Sequence, residues 1–342
     1  MIYNSGTKII KVGNINKISD QNQTVFQYIK ADSPTPPHDY SQDYLTFEAL
    51  ESGTFRFSGN SVNYSLDDGA TWTSLAANTS TPTVSAGEKI MFKASITPDV
   101  DSGVGRFSST GNYNAMGNPY SLIDGDNFSG MTASTAYALY GLFEGCNGLV
   151  SAENLSLQAQ LAGYDYTYMF SGCTSLVNAP ELPATGAAFH CYDGMFAGCT
   201  SLTTAPEVQF TSLATYCCQE MFMGCTSLTS VQSVLSSTIM FNSCYYRMFR
   251  GCTSLTTAPE LPATSLSHSA TGCYSEMFYG CSSLNYIKCL VFDEYPEGMT
   301  GSCMQYWVYG VAPSGTFVKN ASMTWPTGNS GIPTGWTVQD NV

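Results

Sequence analysis

Positive charge is what this sequence has least of. Its 342 residues hold 12 Lys plus Arg against 26 Asp plus Glu, a formal net charge of −14, and three histidines. A chain that works by neutralising phosphates or by lying on anionic lipid needs the opposite balance, so nucleic-acid binding is excluded as a function class. The deficit is also local. No Lys or Arg lies between Arg106 and Arg247, while Asp124, Asp126, Glu144, Glu153, Asp165, Glu181, Asp193, Glu207 and Glu220 do, so an acidic middle is expected. Long apolar runs are missing as well: none reaches the eighteen residues of a bilayer span, and no membrane insertion is expected. The start, Met1 to Lys11, lacks the apolar run and small-residue cleavage site of a Sec signal peptide, so export by that route is not expected.

Cysteine is absent from the first 145 residues, and the thirteen that follow fit neither a disulfide framework nor a zinc site. Their number is odd, and CxxC or CxH spacings are missing. His38, His190 and His268 stand apart without i,i+4 partners, so no metal is expected. Asp124-Gly125-Asp126-Asn127 resembles the opening of a calcium loop, but Phe128 takes a ligand position and a turn is expected instead. No GxSxG, Walker A or dinucleotide fingerprint occurs. With 43% hydrophobic and 11% charged residues the chain is nonetheless too apolar to be disordered.

What the sequence does have is a repeat. Aligned on Gly-Cys pairs, six copies place the Cys at 146, 173, 199, 225, 252 and 281. Each is preceded at one offset by Leu142-Phe143, Met169-Phe170, Met195-Phe196, Met221-Phe222, Met248-Phe249 or Met277-Phe278, and followed by Leu149, Leu176, Leu202, Leu228, Leu255 or Leu284. A second Cys lies eight residues upstream in four copies (Cys191, Cys217, Cys244 and Cys273), where the first two carry Ala138 and Asp165. A period in the high twenties with one aromatic knob per copy implies a solenoid whose units bury nothing alone and share a core when stacked. In each copy a stretch such as Ser201 to Val208 is the expected strand, and the Cys-Tyr-x-x-Met-Phe stretch an expected helical or 3₁₀ turn opposite it. Pro180, Pro206 and Pro259 recur in the strand slot, so a short, irregular sheet is expected. The thiols are read as buried packing groups that donate S–H to neighbouring carbonyls.

Residues 248–264, Met-Phe-Arg-Gly-Cys-Thr-Ser-Leu-Thr-Thr-Ala-Pro-Glu-Leu-Pro-Ala-Thr, resemble the BspA-like (treponemal-type) leucine-rich repeat of surface proteins from gut and oral Bacteroidetes and from their phages. The resemblance covers residues 138–303; the fourth copy departs, with Ser230 to Leu235 replacing Ala-Pro-Glu-Leu-Pro. It implies adhesion or macromolecular recognition without catalysis.

The flanks suggest how such a body is mounted. Residues 1–32, with two Lys-Ile or Lys-Val units, are similar to N-terminal attachment segments of phage structural proteins, and 33–43 form a Pro-rich linker. From 44 to 107 the period turns to two, in runs at Tyr44, Thr54, Val62, Ala70 and Lys89, with Asp68-Gly69 as a hairpin turn, so a small β-sandwich is expected. Residues 108–137 are expected to be an irregular N-terminal cap and 304–342 a hairpin cap built on Thr316 to Val318 and Thr337-Val338. The fold class expected is therefore mainly β: anchor, sandwich, a leucine-rich-repeat solenoid of about six rungs, and a C-terminal β cap.

Candidate ligand-binding residues are the tyrosines beside the upstream Cys, Tyr192, Tyr245 and Tyr274, because a phenol offers an apolar face and a hydroxyl to sugars and proteins alike. Glu181, Glu207 and Glu260 share one repeat slot and are expected along one face, but no apolar pocket is expected to raise a pKa among them, so no enzyme activity, catalytic residue or cofactor is assigned. The function expected is that of a phage virion structural protein, a tail or head fibre or adhesin. Its partners would be other virion proteins through the N-terminal segment and host-surface polysaccharide or protein, and, fibres being commonly trimeric, further copies of itself. The alternatives are a bacterial cell-surface adhesin of the same repeat type and a purely structural virion decoration protein.

Overall fold

The computed structural model describes residues 17–20, 23–26, 38–231, 239–261, 263, 271–291 and 303–341. The rest of the expected attachment segment, the Pro-rich spacer at 33–37, most of the departure in the fourth copy and His268 lie outside these residues. The chain divides into two units, residues 1–39 and 40–342. In the first, β1 (Lys17–Asp20) pairs antiparallel with β2 (Gln23–Phe26), so this segment carries a hairpin of its own.

The second unit begins with the period-two runs, which form strands β3 (Leu45–Ala49), β4 (Phe55–Ser58), β5 (Val62–Ser65), β6 (Thr73–Leu75) and β7 (Lys89–Lys93) where alternation places them. Asp68 and Gly69 both take positive φ, 53° and 84°, in the β5–β6 connection. Two further strands follow: β8 (Arg106–Ser109) straddles the expected end of the sandwich at 107, and β9 (Tyr113–Gly117) falls in the stretch expected to be an irregular cap. β4 pairs with β8, and β9 pairs with β3 inside the larger sheet, whose order, with β10 at Leu149–Leu155, is β10-β9-β3-β7-β5-β6. Between the two sheets lies an aromatic core: the Phe47 ring is 5.2 Å from Phe55, 5.1 Å from Phe92 and 4.8 Å from Phe107.

The sixth strand of that sheet, β10 (Leu149–Leu155), belongs to the first repeat copy and runs parallel to β9. Phe107 behaves towards copy one as each copy behaves towards the next. The Cys146 Sγ–H donates to the Phe107 carbonyl at 2.9 Å, as Cys173 does to Phe143 at 3.0 Å and Cys199 to Phe170 at 3.2 Å. Phe107 also stacks on Phe143 at 6.0 Å. The β8–β9 layer, rather than an irregular cap, covers the first copy, because Phe107 supplies the ring and the carbonyl that a preceding copy would otherwise provide.

The copies then stack on one another. Phe143, Phe170, Phe196, Phe222, Phe249 and Phe278 form a column with successive ring centroids 5.4, 5.4, 5.6, 5.6 and 5.8 Å apart. Backbone bonds knit the column: Phe170 N–H donates to the Met195 carbonyl, Phe196 to Met221 and Phe222 to Met248, each at 2.9 Å. The expected helical turn is instead a staircase of turns with three left-handed residues per copy. The third is always glycine, as at Gly172, Gly198, Gly224 and Gly251 with φ of 73° to 75°, since the left-handed region penalises a side chain. On the opposite side the sheet is as irregular as the prolines imply: β11 (Thr204–Ala205) pairs with β12 (Ser230–Val231), and elsewhere single bridges such as Ser151↔Asn178 connect the copies.

The C-terminal end differs from expectation. A seventh copy lacks the Gly-Cys signature but stacks all the same: Trp307 fills the Met slot, Phe278 N–H donates to its carbonyl at 2.8 Å, and Gly280 N–H donates to Tyr309 at 2.7 Å. Strands β13 (Tyr286–Cys289), β14 (Thr316–Asn320) and β15 (Thr337–Asn341) form a parallel sheet, with Thr316 opposite Thr337. The expected hairpin cap is therefore replaced by parallel strands, because Gly315 to Asn320 and Trp336 to Asn341 each continue the repeat's strand side rather than folding back.

Candidate functional site

All thirteen cysteines are buried thiols. Burial pushes the Cys225 and Cys281 thiols up to about 12, so they stay protonated, as S–H donors must. Among the described residues no cluster of His, Cys, Asp or Glu could hold a metal ion, and no helix is long and apolar enough to cross a membrane. At 124–127 the expected turn is instead the end of a short helix (Ser121–Asp124) and the start of a 3₁₀ helix (Gly125–Gly130), and the Asp126 carboxylate accepts from Lys93 Nζ and from the Tyr44 hydroxyl, both at 2.6 Å. Lys93 lies 4.3 Å from the Trp72 ring centroid. Beside it run two open, polar grooves of about 420 and 330 Å³ that share Asn63 and Ser95.

Tyr192, Tyr245 and Tyr274 are 0%, 2% and 0% exposed, which removes them as ligand contacts. Each follows the inward-facing Cys of its copy and packs between copies: Tyr192 stacks on Tyr166 and Phe210, and Tyr245 on Tyr274. Glu181, Glu207 and Glu260 are exposed, and Glu260 accepts from Lys288 Nζ at 2.8 Å.

The residue before that Cys faces the other way. Tyr137, Tyr164, His190 and Tyr216 occupy the first left-handed position of copies one to four, with φ of 61°, 60°, 54° and 59°. Copy six has Gly272 there, the residue that this conformation favours. The aromatic rings form an outer stack, with centroids 4.6, 4.8 and 4.5 Å apart and interplanar angles of 7°, 8° and 21°. His190 sits inside it, and its Nδ1 donates to the Asp193 carboxylate at 2.6 Å.

Phe189, 43% exposed, lies beside this stack rather than in it. Its plane makes 79°, 82° and 78° with Tyr164, His190 and Tyr216, at centroid distances of 5.4, 4.4 and 5.9 Å. Both faces of His190 are covered by tyrosines, so the contact must be the imidazole edge against the face of Phe189, whose other face turns outward.

Tyr140 and Tyr168 extend the patch sideways, 5.9 Å apart. The Tyr168 ring lies on the backbone of Gly194, where a Cβ would come within 2.2 Å of it. Burial, reinforced by Asp193 and Glu220, pushes the Tyr168 phenol up to about 12, so it is a neutral donor at physiological pH. The neighbouring acids are engaged within the protein: Glu144 by Arg106 at 2.6 Å, Glu220 by Arg247 at 3.3 Å, and Asp193 by His190 and Gln219.

In sequence, only the left-handed slot distinguishes these outward rings from inward Tyr192, and that slot is legible where a glycine replaces the aromatic, as at Gly272. No protein-family profile, curated protein or solved structure matches this chain.

Proposed function

We propose that the chain is a recognition protein of the BspA-like leucine-rich-repeat type, a solenoid carried on a β-sandwich, and that it serves as a phage virion fibre or adhesin attaching to the host surface. The observation that carries this reading is the outer aromatic patch on the repeats: a rigid stacked column that holds Tyr137, Tyr164, His190 and Tyr216 in left-handed backbone, with an apolar ring, Phe189, turned to solvent. Left-handed, non-glycine backbone costs roughly 1–2 kcal/mol per residue, and the repeat imposes it in every copy, which fixes the direction of these rings. Large exposed rings on a rigid frame bind with little loss of side-chain entropy, as hot spots do. The virion assignment joins the surface-type repeat motif to the similarity of residues 1–32 to attachment segments of phage structural proteins.

Immunogold labelling with antibody against this chain tests the reading. Gold on tails or head fibres of intact virions is the expected result. Gold on uninfected cells would make it a bacterial surface adhesin of the same repeat type, and virion labelling without any attachment by the purified chain would make it a decoration protein.

A further inference from the structure

We propose that the outward face of Phe189 is the platform of a neutral-glycan site on copies two to four. The inference rests on the recognition reading above and names the ligand class and the central residue.

Three observations lead to it. First, Phe189 is not a product of the repeat. The same position carries Ala136, Gly163, Thr215, Asn242 and Thr271 in the other copies, all small or polar, so neither stacking nor core formation requires a large apolar ring there. Second, its orientation is set. The parallel rings of Tyr164, His190 and Tyr216 meet one face edge-on, which leaves the other to account for the exposure of Phe189, 43% for the residue as a whole. A flat apolar ring face set beside a row of tyrosines matches the apolar C–H face of a pyranose, whereas a basic or acidic side chain needs an unpaired opposite charge.

Third, the charges exclude the competitors. With no Lys or Arg between Arg106 and Arg247, a polyanion finds nothing to pair with. The acids beside the patch also offer little to a basic protein, because Glu144, Glu220 and Asp193 are already held by Arg106, Arg247 and the His190–Gln219 pair; Asp101 remains at the margin. An aromatic surface whose bordering acids already have partners within the protein suits an uncharged, polyhydroxylated ligand.

The test is affinity electrophoresis of the full chain through gels cast with soluble mannan, galactan, arabinan, β-glucan or α-glucan, with heparin and poly-lysine gels as charged comparisons. At least one neutral polysaccharide should retard the protein, equally at low and high salt. Phe189→Thr places in copy three the residue that copy four already tolerates at Thr215, so the thermal melt should be unchanged while binding weakens at least about tenfold. Phe189→Trp keeps a platform and should bind as well as the original; this variant preserves the test if the first one were to misfold. Retardation by none of the five neutral polymers, retention of binding in Phe189→Thr, or salt-sensitive retardation by poly-lysine alone would each overturn the proposal. The two readings fail separately. Virion-borne protein whose binding ignores Phe189 sinks this inference and spares the fibre reading, whereas Phe189-dependent glycan binding by a protein absent from virions does the reverse.

Discussion

Asp165 stands where later copies carry Cys191, Cys217, Cys244 and Cys273, and it shows what one side chain can impose on the stack. It is fully buried, accepts from the Tyr120 hydroxyl at 2.9 Å, and has its carboxyl pushed up to about 7 by burial. Tyr166 faces it through the same hydroxyl cluster, with Cys191 and Tyr192 behind, and none of these is a cation that would hold the charged form. The folded state therefore binds this proton more tightly than the unfolded chain. Below pH 4 both states hold it and no difference arises. As pH climbs from 3.8 to about 7 the unfolded state releases it first, so stability falls through that window and levels off above it. At 1.36 kcal/mol per pH unit the loss is on the order of 4 kcal/mol. Urea midpoints should show Asp165→Asn gaining on the original chain as pH rises from 4 to 8; a constant gap across that range would mean that the carboxyl does not titrate there.

At the scale of the element, one copy is held by a ring in a column and a glycine in a turn. Phe222 is fully buried with rings 5.6 Å away on either side, so Phe222→Ala should cost about 3–5 kcal/mol, read as a lower melting temperature. An unchanged melt would remove the column as the source of stability. Gly198 tests the turn separately. Its φ of 74° penalises any side chain, although a Cβ would meet only Gly172 at 3.7 Å, an ordinary contact. Gly198→Ala should then destabilise by roughly 1–2 kcal/mol through backbone strain alone. The glycine at this turn was plain from the Gly-Cys repeat; the two other left-handed positions were not, because tyrosine, histidine, glutamate and arginine also occupy them, as at Tyr216, His190, Glu220 and Arg247. Local sequence propensity would have placed none of these there, and the coil-to-coil hydrogen bonds override it.

At the scale of the molecule, strands β3–β9 and the repeats share a sheet and a core. β9 lies between β3 and β10, so a cut after residue 107 removes an interior strand from the larger sheet and β8 from the cover of copy one. Residues 40–342 should melt as a single transition, and a fragment ending at 107 should lack a folded circular-dichroism spectrum. Two resolved transitions, with a stable short fragment, would show that the shared sheet carries little of the stability. The buried thiols give an independent check on the same body. Labelling with an aromatic disulfide should be slow in native protein and reach all thirteen cysteines after denaturation without reductant.

The period, the Phe, Cys and Leu columns, strands β3 to β7 and the acidic middle are all legible in the order of residues. Each is a property of residue type at a short or constant offset, and stacking identical copies converts that offset directly into contact. Features that depend on distant partners or on the sign of one dihedral emerge only in the folded chain. Tyr192 and His190 are one Cys apart, yet the left-handed turn at His190 sends its ring outward while Tyr192 goes into the core. Tyr192, Tyr245 and Tyr274, the tyrosines that the sequence pattern singles out, therefore lie on the buried face, and the exposed patch follows from φ. Whether β9 closes the sandwich or caps the repeats, and whether β15 returns antiparallel or continues parallel, follows from which strand edge each finds. Backbone hydrogen bonds are the same for every residue type, so pairing choices of that kind leave little trace in the order of side chains.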